Sequence, residues 1–116
     1  DKRVVLQPRL EADYENAGVT GFKVWKTKKQ WRAIYPAIGT KFGAYAICEA
    51  VSKDGLNWER GMPGDNLSMA PGSASWENEM VEYPHIVRQG NKLRMFYCGN
   101  GYGKTGIGMA TAKMIR

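Results

Sequence analysis

Histidine and cysteine are nearly missing from this chain: His85, Cys48 and Cys98 are all that its 116 residues hold. One histidine excludes a His-rich metal cluster, and the two cysteines have no metal-ligand spacing. Neither a metal nor any other cofactor is expected. Cys48 and Cys98 sit beside Ile47 and Tyr97 in strand-like runs, which favours two buried free thiols over a single disulfide. Long apolar runs are also absent. None approaches the roughly 20 residues that a membrane-spanning helix needs. The first six residues, Asp1 to Leu6, carry too short an apolar run for a signal peptide and no small-residue cleavage site. The expectation is a soluble protein, with the cytoplasm as the favoured compartment. No stretch repeats its apolar residues at the 3.6-residue period of a helix, which excludes helical solenoids.

Glycine, by contrast, is plentiful: fourteen, with five prolines, punctuate short runs rich in aromatic and β-branched residues. That pattern predicts an all-β chain with many turns. The length allows one domain with one modest core. Expected strands lie at residues 4–6, 22–26, 31–35, 44–52, 85–87, 93–97 and 107–112. Lys28-Lys29-Gln30 and Gly90-Asn91 are the turns of two hairpins, since Gly and Asn tolerate positive φ. Asp54-Gly55 is a further tight turn, over which Trp58 packs back. Residues 60–75, with Gly61, Pro63, Gly64, Pro71 and Gly72, read as a long irregular connection. Along 44–52 strict alternation puts Tyr45, Ile47, Glu49 and Val51 on one face. The other face carries only small residues, Ala44, Ala46, Cys48 and Ala50.

The chain repeats itself. Trp31-Arg32-Ala33-Ile34-Tyr35 matches Leu93-Arg94-Met95-Phe96-Tyr97 at an offset of 62, and Ala50 matches Ala110 at an offset of 60. Units of this size with about four short strands suit propeller blades, which bury a face against the next blade. Two blade-like repeats are expected, at about residues 17–58 and 76–116.

Two segments carry a family resemblance. Glu82-Tyr83-Pro84 precedes a strand, a turn, an aromatic strand ending in Phe96-Tyr97, a glycine-rich loop and Ile107-Gly108-Met109-Ala110. Ser52-Lys53-Asp54-Gly55-Leu56-Asn57-Trp58 has the form S-x-D-G-x-x-W. Both resemble blades of the five-bladed propeller glycosidases, the invertase- and arabinanase-like enzymes and their uncharacterised relatives. The resemblance spans about two blades. It implies a carbohydrate-active module, either hydrolysing glycosides or binding glycans, and it places the general acid of the Glu-x-Pro motif at Glu82.

Glycoside hydrolysis uses two carboxylates, one of them an acid whose pKa is raised by burial. Glu77, Glu79 and Glu82 form the densest acidic group, with Glu79 as a competitor for the role of Glu82. Asp13 and Glu49 are the remaining candidates for a partner, though a solvated loop for Asp13 and a rim position for Glu49 are the plainer readings. Sugar contacts are expected from Glu79, His85, Asn100 and Tyr102, with Trp76 as a platform for a pyranose ring. The glycines from Gly99 to Gly108 are not followed by a helix pattern, which excludes a phosphate-binding P-loop.

Two blades leave sheet faces uncovered, so the chain is expected either as part of a longer propeller or as a homo-oligomer. Three copies would close a six-bladed ring. A non-catalytic assembly module is the alternative function. A third reading comes from the net charge of +6 and from Lys23, Lys26, Lys28, Lys29 and Arg32 interleaved with Trp25 and Trp31. Such a hairpin can bind nucleic acid through phosphates and stacked bases. Lysines bunched at a turn serve equally well to keep an exposed hairpin soluble, and that reading makes nucleic acid the less expected partner.

Overall fold

The computed structural model describes residues 2–61 and 67–113. Eight antiparallel strands form two sheets: β1 (Gly18–Val19), β2 (Lys23–Lys26), β3 (Trp31–Ile38), β4 (Tyr45–Ser52) and β5 (Glu59–Arg60) in the first, and β6 (Glu82–Gln89), β7 (Lys92–Cys98) and β8 (Ile107–Lys113) in the second. The all-β, blade-like expectation therefore holds. The strands that sequence periodicity placed at 22–26, 31–35, 44–52, 93–97 and 107–112 are present, each within a few residues of its expected ends. No strand forms at residues 4–6, where Pro8 follows closely and lacks the N–H that a ladder needs. The irregular connection at 60–75 lies outside the described residues at 62–66.

β3 and β4 pair along their whole length, Trp31 opposite Ser52 through Ile38 opposite Tyr45. Both faces of this hairpin are buried. On one face Ile34 and Ile47 meet Val81, just ahead of β6, and Leu93, Met95 and Tyr97 of the second sheet. On the other, Tyr35, Ala37, Cys48 and Ala50 pack under Tyr14, Phe22 and Trp58. The alternation read from residues 44–52 thus sorts correctly, with the small residues on the face that the N-terminal segment covers. Cys48 and Cys98 are both free and buried. Burial pushes the Cys48 thiol up to about 12.

Between the sheets, backbone bonding among the described residues is sparse. Ile47 and Met69 form one isolated bridge, and the Val81 N–H donates to the Tyr45 carbonyl at 3.1 Å.

Glu49 is not the rim residue expected from its sequence. It is 5% exposed and pairs with Arg32, one strand over, at 2.5 Å. Its second oxygen accepts the Leu67 N–H at 2.7 Å, tying the returning chain to the sheet. Arg32 in turn lies 6.0 Å from the Trp25 ring. An ion pair this dry holds the chain in register because either charge alone would be left unsolvated. Its presence also withdraws Arg32 from any nucleic-acid surface, and Lys26 sits over the Trp31 ring at 5.2 Å.

The two sheets repeat one another more deeply than the sequence match suggested. Lys23 pairs with Ile34 as His85 pairs with Phe96, and Ala33 pairs with Ala50 as Met95 pairs with Ala110. Each first strand breaks at the same place by one extra residue: β1 and β2 are separated at Thr20-Gly21-Phe22, and β6 bulges between Glu82 and His85. The residue at the break has positive φ in both, Gly21 at 54° and Tyr83 at 51°. The match extends upstream, Tyr14-Glu15-Asn16 standing 62 residues before Trp76-Glu77-Asn78. Both aromatic residues at its head abut a glycine with no room for a Cβ: Gly39 lies against Tyr14 and Gly99 against Trp76.

Replacing Glu49 with alanine should destabilise the chain by roughly 3–5 kcal/mol, because Arg32 is then a buried, unpaired charge. The double variant Arg32→Met/Glu49→Leu should recover most of that loss. Urea unfolding of the wild type, both single variants and the double variant checks the coupling.

Candidate functional site

Two carboxyl groups at equivalent positions of the repeat have separate fates. Glu15 is fully buried and neutralised by Arg60 at 2.9 Å and Arg9 at 3.3 Å. Its partner by sequence, Glu77, accepts a hydrogen bond from the Tyr97 hydroxyl at 2.9 Å. Tyr35, the counterpart of Tyr97, has no hydroxyl partner among the described residues, because the arginines occupy Glu15 instead. Both glutamates are thereby committed to structure.

Glu82 differs. It stands where the first repeat has the exposed Thr20, at the start of β6 and only 1% exposed. The neighbouring Tyr83 N–H donates a hydrogen bond to it at 3.0 Å, and no ion pair reaches it among the described residues. Desolvation raises its pKa above the ordinary 4.5, the backbone hydrogen bond opposing this only in part. A carboxyl in that condition holds its proton to higher pH, which is the property a general acid requires.

Three tyrosines gather beside it. Tyr45 begins β4, Tyr83 is the bulge residue, and Tyr102 lies in the loop after β7. The Tyr45 and Tyr102 rings are 6.1 Å apart and the Tyr83 and Tyr102 rings 6.3 Å apart. Tyr83 and Tyr102 are 64% and 59% exposed. They are also the two described residues other than glycine with positive φ, at 51° and 57°. The loop that carries Tyr102, Asn100–Gly103, makes one tight turn with left-handed Gly101 and Tyr102 inside it, so it is not a helix N-terminus.

The other sequence-derived candidates fall around this group in different ways. Asn100 is buried, and its side chain accepts from the Glu79 and Met80 N–H groups and donates to the Ser75 carbonyl and Asn78 Oδ1. It fixes the segment that leads to Glu82. Trp76 is half-buried, stacked on Tyr97 at 5.6 Å, and closed from the other side by Gly108, where any Cβ would collide with the indole. Glu79 is exposed and lines an open cleft of about 560 Å³ with Phe42, Pro71, Met80 and Gly101. His85 is exposed and paired across the strands with Phe96, beyond the bulge from Glu82. Asp13 is exposed in the loop before Tyr14, and its carbonyl accepts from the Lys41 N–H at 2.9 Å.

Sequence reasoning missed Tyr45 and Tyr83. The signal for Tyr83 was available, since a bulky residue aligned with Gly21 marks a position where the backbone turns left-handed. Tyr45 could not be found that way, because its place depends on how the two sheets meet. Among the described residues, no group of three or more His, Cys, Asp or Glu side chains could hold a metal ion. No described helix is long and apolar enough to cross a membrane.

No family model matches the chain. Two uncharacterized Mycobacterium tuberculosis proteins, Rv1502 of strain H37Rv and MT1551 of strain CDC 1551, are each 35% identical to it over 80 residues. That match takes in 69% of this chain and 25% of theirs, so the chain spans about a quarter of the length of the curated relatives it matches. Among solved structures, one described as a glycoside hydrolase superposes with a TM-score of 0.64 at 17% identity, covering 84% of this chain and 28% of that one. Another, described as an RGII complex of BT0996, gives 0.66 at 16% identity over 96% and 36%. At such identities the likeness shows the fold alone, antiparallel β-sheets that superpose on about a third of each of those chains.

Because Glu82 has its pKa raised by folding, the protonated form stabilises the fold and that contribution is lost as pH rises above 4.5 and through the raised value. The non-titrating variant Glu82→Gln should therefore melt higher than the wild type at neutral pH. The difference should vanish below pH 4.5. Thermal unfolding followed from pH 3.5 to 8 measures it.

Proposed function

We propose that this chain is part of a carbohydrate-active propeller that hydrolyses glycosides or binds glycans, with residues 17–58 and 76–116 as two blade-like repeats. The observation that carries the reading is Glu82, a buried carboxyl with a raised pKa and no cationic partner among the described residues, opening the first strand of its sheet beside an exposed group of tyrosines. The fold likeness to a glycoside hydrolase supports it. In this reading Glu82 donates the proton to the leaving-group oxygen, and Glu79, in the neighbouring cleft, contacts the sugar. His85 and Tyr102 reach substrate from the strand and the loop. Asn100 holds the 75–80 segment in place, and Trp76 supports it from behind. The opposing carboxylate comes from blades beyond these two.

Loss of the proton donor costs most where the leaving group is a poor one. Glu82→Gln should slow hydrolysis of an unactivated oligosaccharide by about 10²- to 10⁴-fold and that of an activated aryl glycoside much less. Equal turnover of both substrates by variant and wild type would remove Glu82 from the acid role.

A second reading, assembly without catalysis, is favoured by the outer face of the second sheet. Val87, Phe96, Ile107 and Met109 are all exposed there, Ile107 to 71%. β8 pairs with β7 on one side, and among the described residues nothing pairs its other edge. An apolar face beside an open edge is what another blade covers in a propeller. Light scattering distinguishes the cases: a closed oligomer such as a trimer supports completion of the ring by copies, and a monomer counts against it.

A further inference from the structure

Tyr83 and Tyr102 are held in a left-handed backbone conformation that is costly for a residue with a bulky side chain. The first repeat reaches the same turn at Gly21 without that cost. Nothing in the core accounts for tyrosine at either position, since both rings are largely exposed and neither belongs to the two apolar clusters. Both strained residues nevertheless direct their rings to one place, 6.3 Å from each other and, for Tyr102, 6.1 Å from Tyr45. The Glu82 carboxyl accepts the Tyr83 N–H at 3.0 Å, and its charge adds to burial in raising the pKa of Tyr45.

We infer that Tyr45, Tyr83 and Tyr102 form a stacking collar that seats one uncharged sugar ring over the Glu82 carboxyl, with Tyr83 and Tyr102 determining which sugars fit. This rests on the reading of Glu82 as part of a carbohydrate site, and it adds the class of ligand and the residues that select it. Aromatic rings bind the C–H faces of sugars through the same dispersion and apolar burial that make them anchors elsewhere. The selection against charge follows from what surrounds the carboxyl. No ion pair reaches Glu82 among the described residues; Lys41, ahead of β4, is turned onto the Phe42 ring at 5.5 Å, and Lys104, two residues after Tyr102, lays its side chain against Gly101. A uronate would bring its own carboxylate against the Glu82 carboxyl, which has no ion pair among the described residues to offset the repulsion.

Glycine substitution separates the ring from the backbone at these positions, because glycine adopts positive φ freely. In Tyr83→Gly and Tyr102→Gly the turn is retained and the ring is lost. The probes are methyl glycosides of neutral hexoses and pentoses and the matching methyl uronides, titrated by NMR into the intact chain. At least one neutral glycoside should bind, and its uronide should bind at least tenfold more weakly. Each glycine variant should weaken the neutral ligand at least tenfold while melting no lower than the wild type, and Tyr83→Phe and Tyr102→Phe should retain binding. A merely structural role gives the reverse pattern, with lower melting and unchanged binding, and overturns the proposal. So does equal binding of uronides, or the failure of every neutral glycoside to bind. Glu82→Gln is carried alongside. If it leaves hydrolysis intact while the glycine variants lose binding, the acid assignment fails and the collar stands.

Discussion

Everything in this chain leans on the burial of both faces of one hairpin. β3 and β4 are covered on one side by the second sheet and on the other by the N-terminal segment with Phe22 and Trp58. A strand buried on both faces has no solvent side on which to place charge, and that turns the two charged residues within it, Arg32 and Glu49, into obligatory partners. The same constraint excludes large residues from the Ala33, Ala37, Ala46 and Ala50 positions, all at or near zero exposure. It also brings Tyr45 to the seam between the sheets, where its carbonyl receives the Val81 N–H.

The repeat shows how two units built on one backbone plan come to differ at the bulge. Both units use an aromatic residue, a glutamate and an asparagine ahead of a bulged first strand, and both set the aromatic residue against a glycine. In the first unit Thr20 and Gly21 occupy the bulge; in the second the same backbone presents Glu82 and Tyr83. The scaffold already held its left-handed turn, so a buried carboxyl and an exposed ring could be placed there without redesigning the strand. The first unit commits its equivalent glutamate, Glu15, to two arginines and leaves the Tyr35 hydroxyl unbonded among the described residues.

Much of the fold was legible in residue order. Turn chemistry at Gly90-Asn91 and Asp54-Gly55 marked the reversals, and Ser52 and Asp54 do accept the backbone N–H groups of the second turn. Strict alternation along 44–52 sorted the two faces. The strand expected at 4–6 does not form, because an apolar triplet without a pairing partner is only a triplet. Glu49 was misplaced for a different reason: alternation says which face a side chain takes, and says nothing about what covers that face. Among the candidate residues, motif order picked out Glu82 and Tyr102, which the fold brings to the same end of the second sheet, at the start of β6 and just after β7. Trp76 and Asn100 looked like binding residues because aromatic and amide side chains suit sugars, yet an indole wedged against Gly108 and an amide with four hydrogen bonds are typical of structural roles as well. Their surroundings are set by contacts roughly 20 to 30 residues away, which no local pattern encodes.

The order of strands has a consequence for how the chain acquires its shape. In each sheet every strand pairs with one adjacent in sequence, apart from β1, which shares an edge of β3 with β2. Loop closure for such hairpins is entropically cheap, so each sheet can zip by successive reversals. The costly step is different in kind: bringing two preformed sheets together through side chains, with scarcely any backbone bonding to guide the encounter. Ile34 and Ile47 belong to that long-range contact, whereas the turns close locally. The topology of this chain thus combines many short-range reversals with one long-range contact, the apolar seam between the sheets.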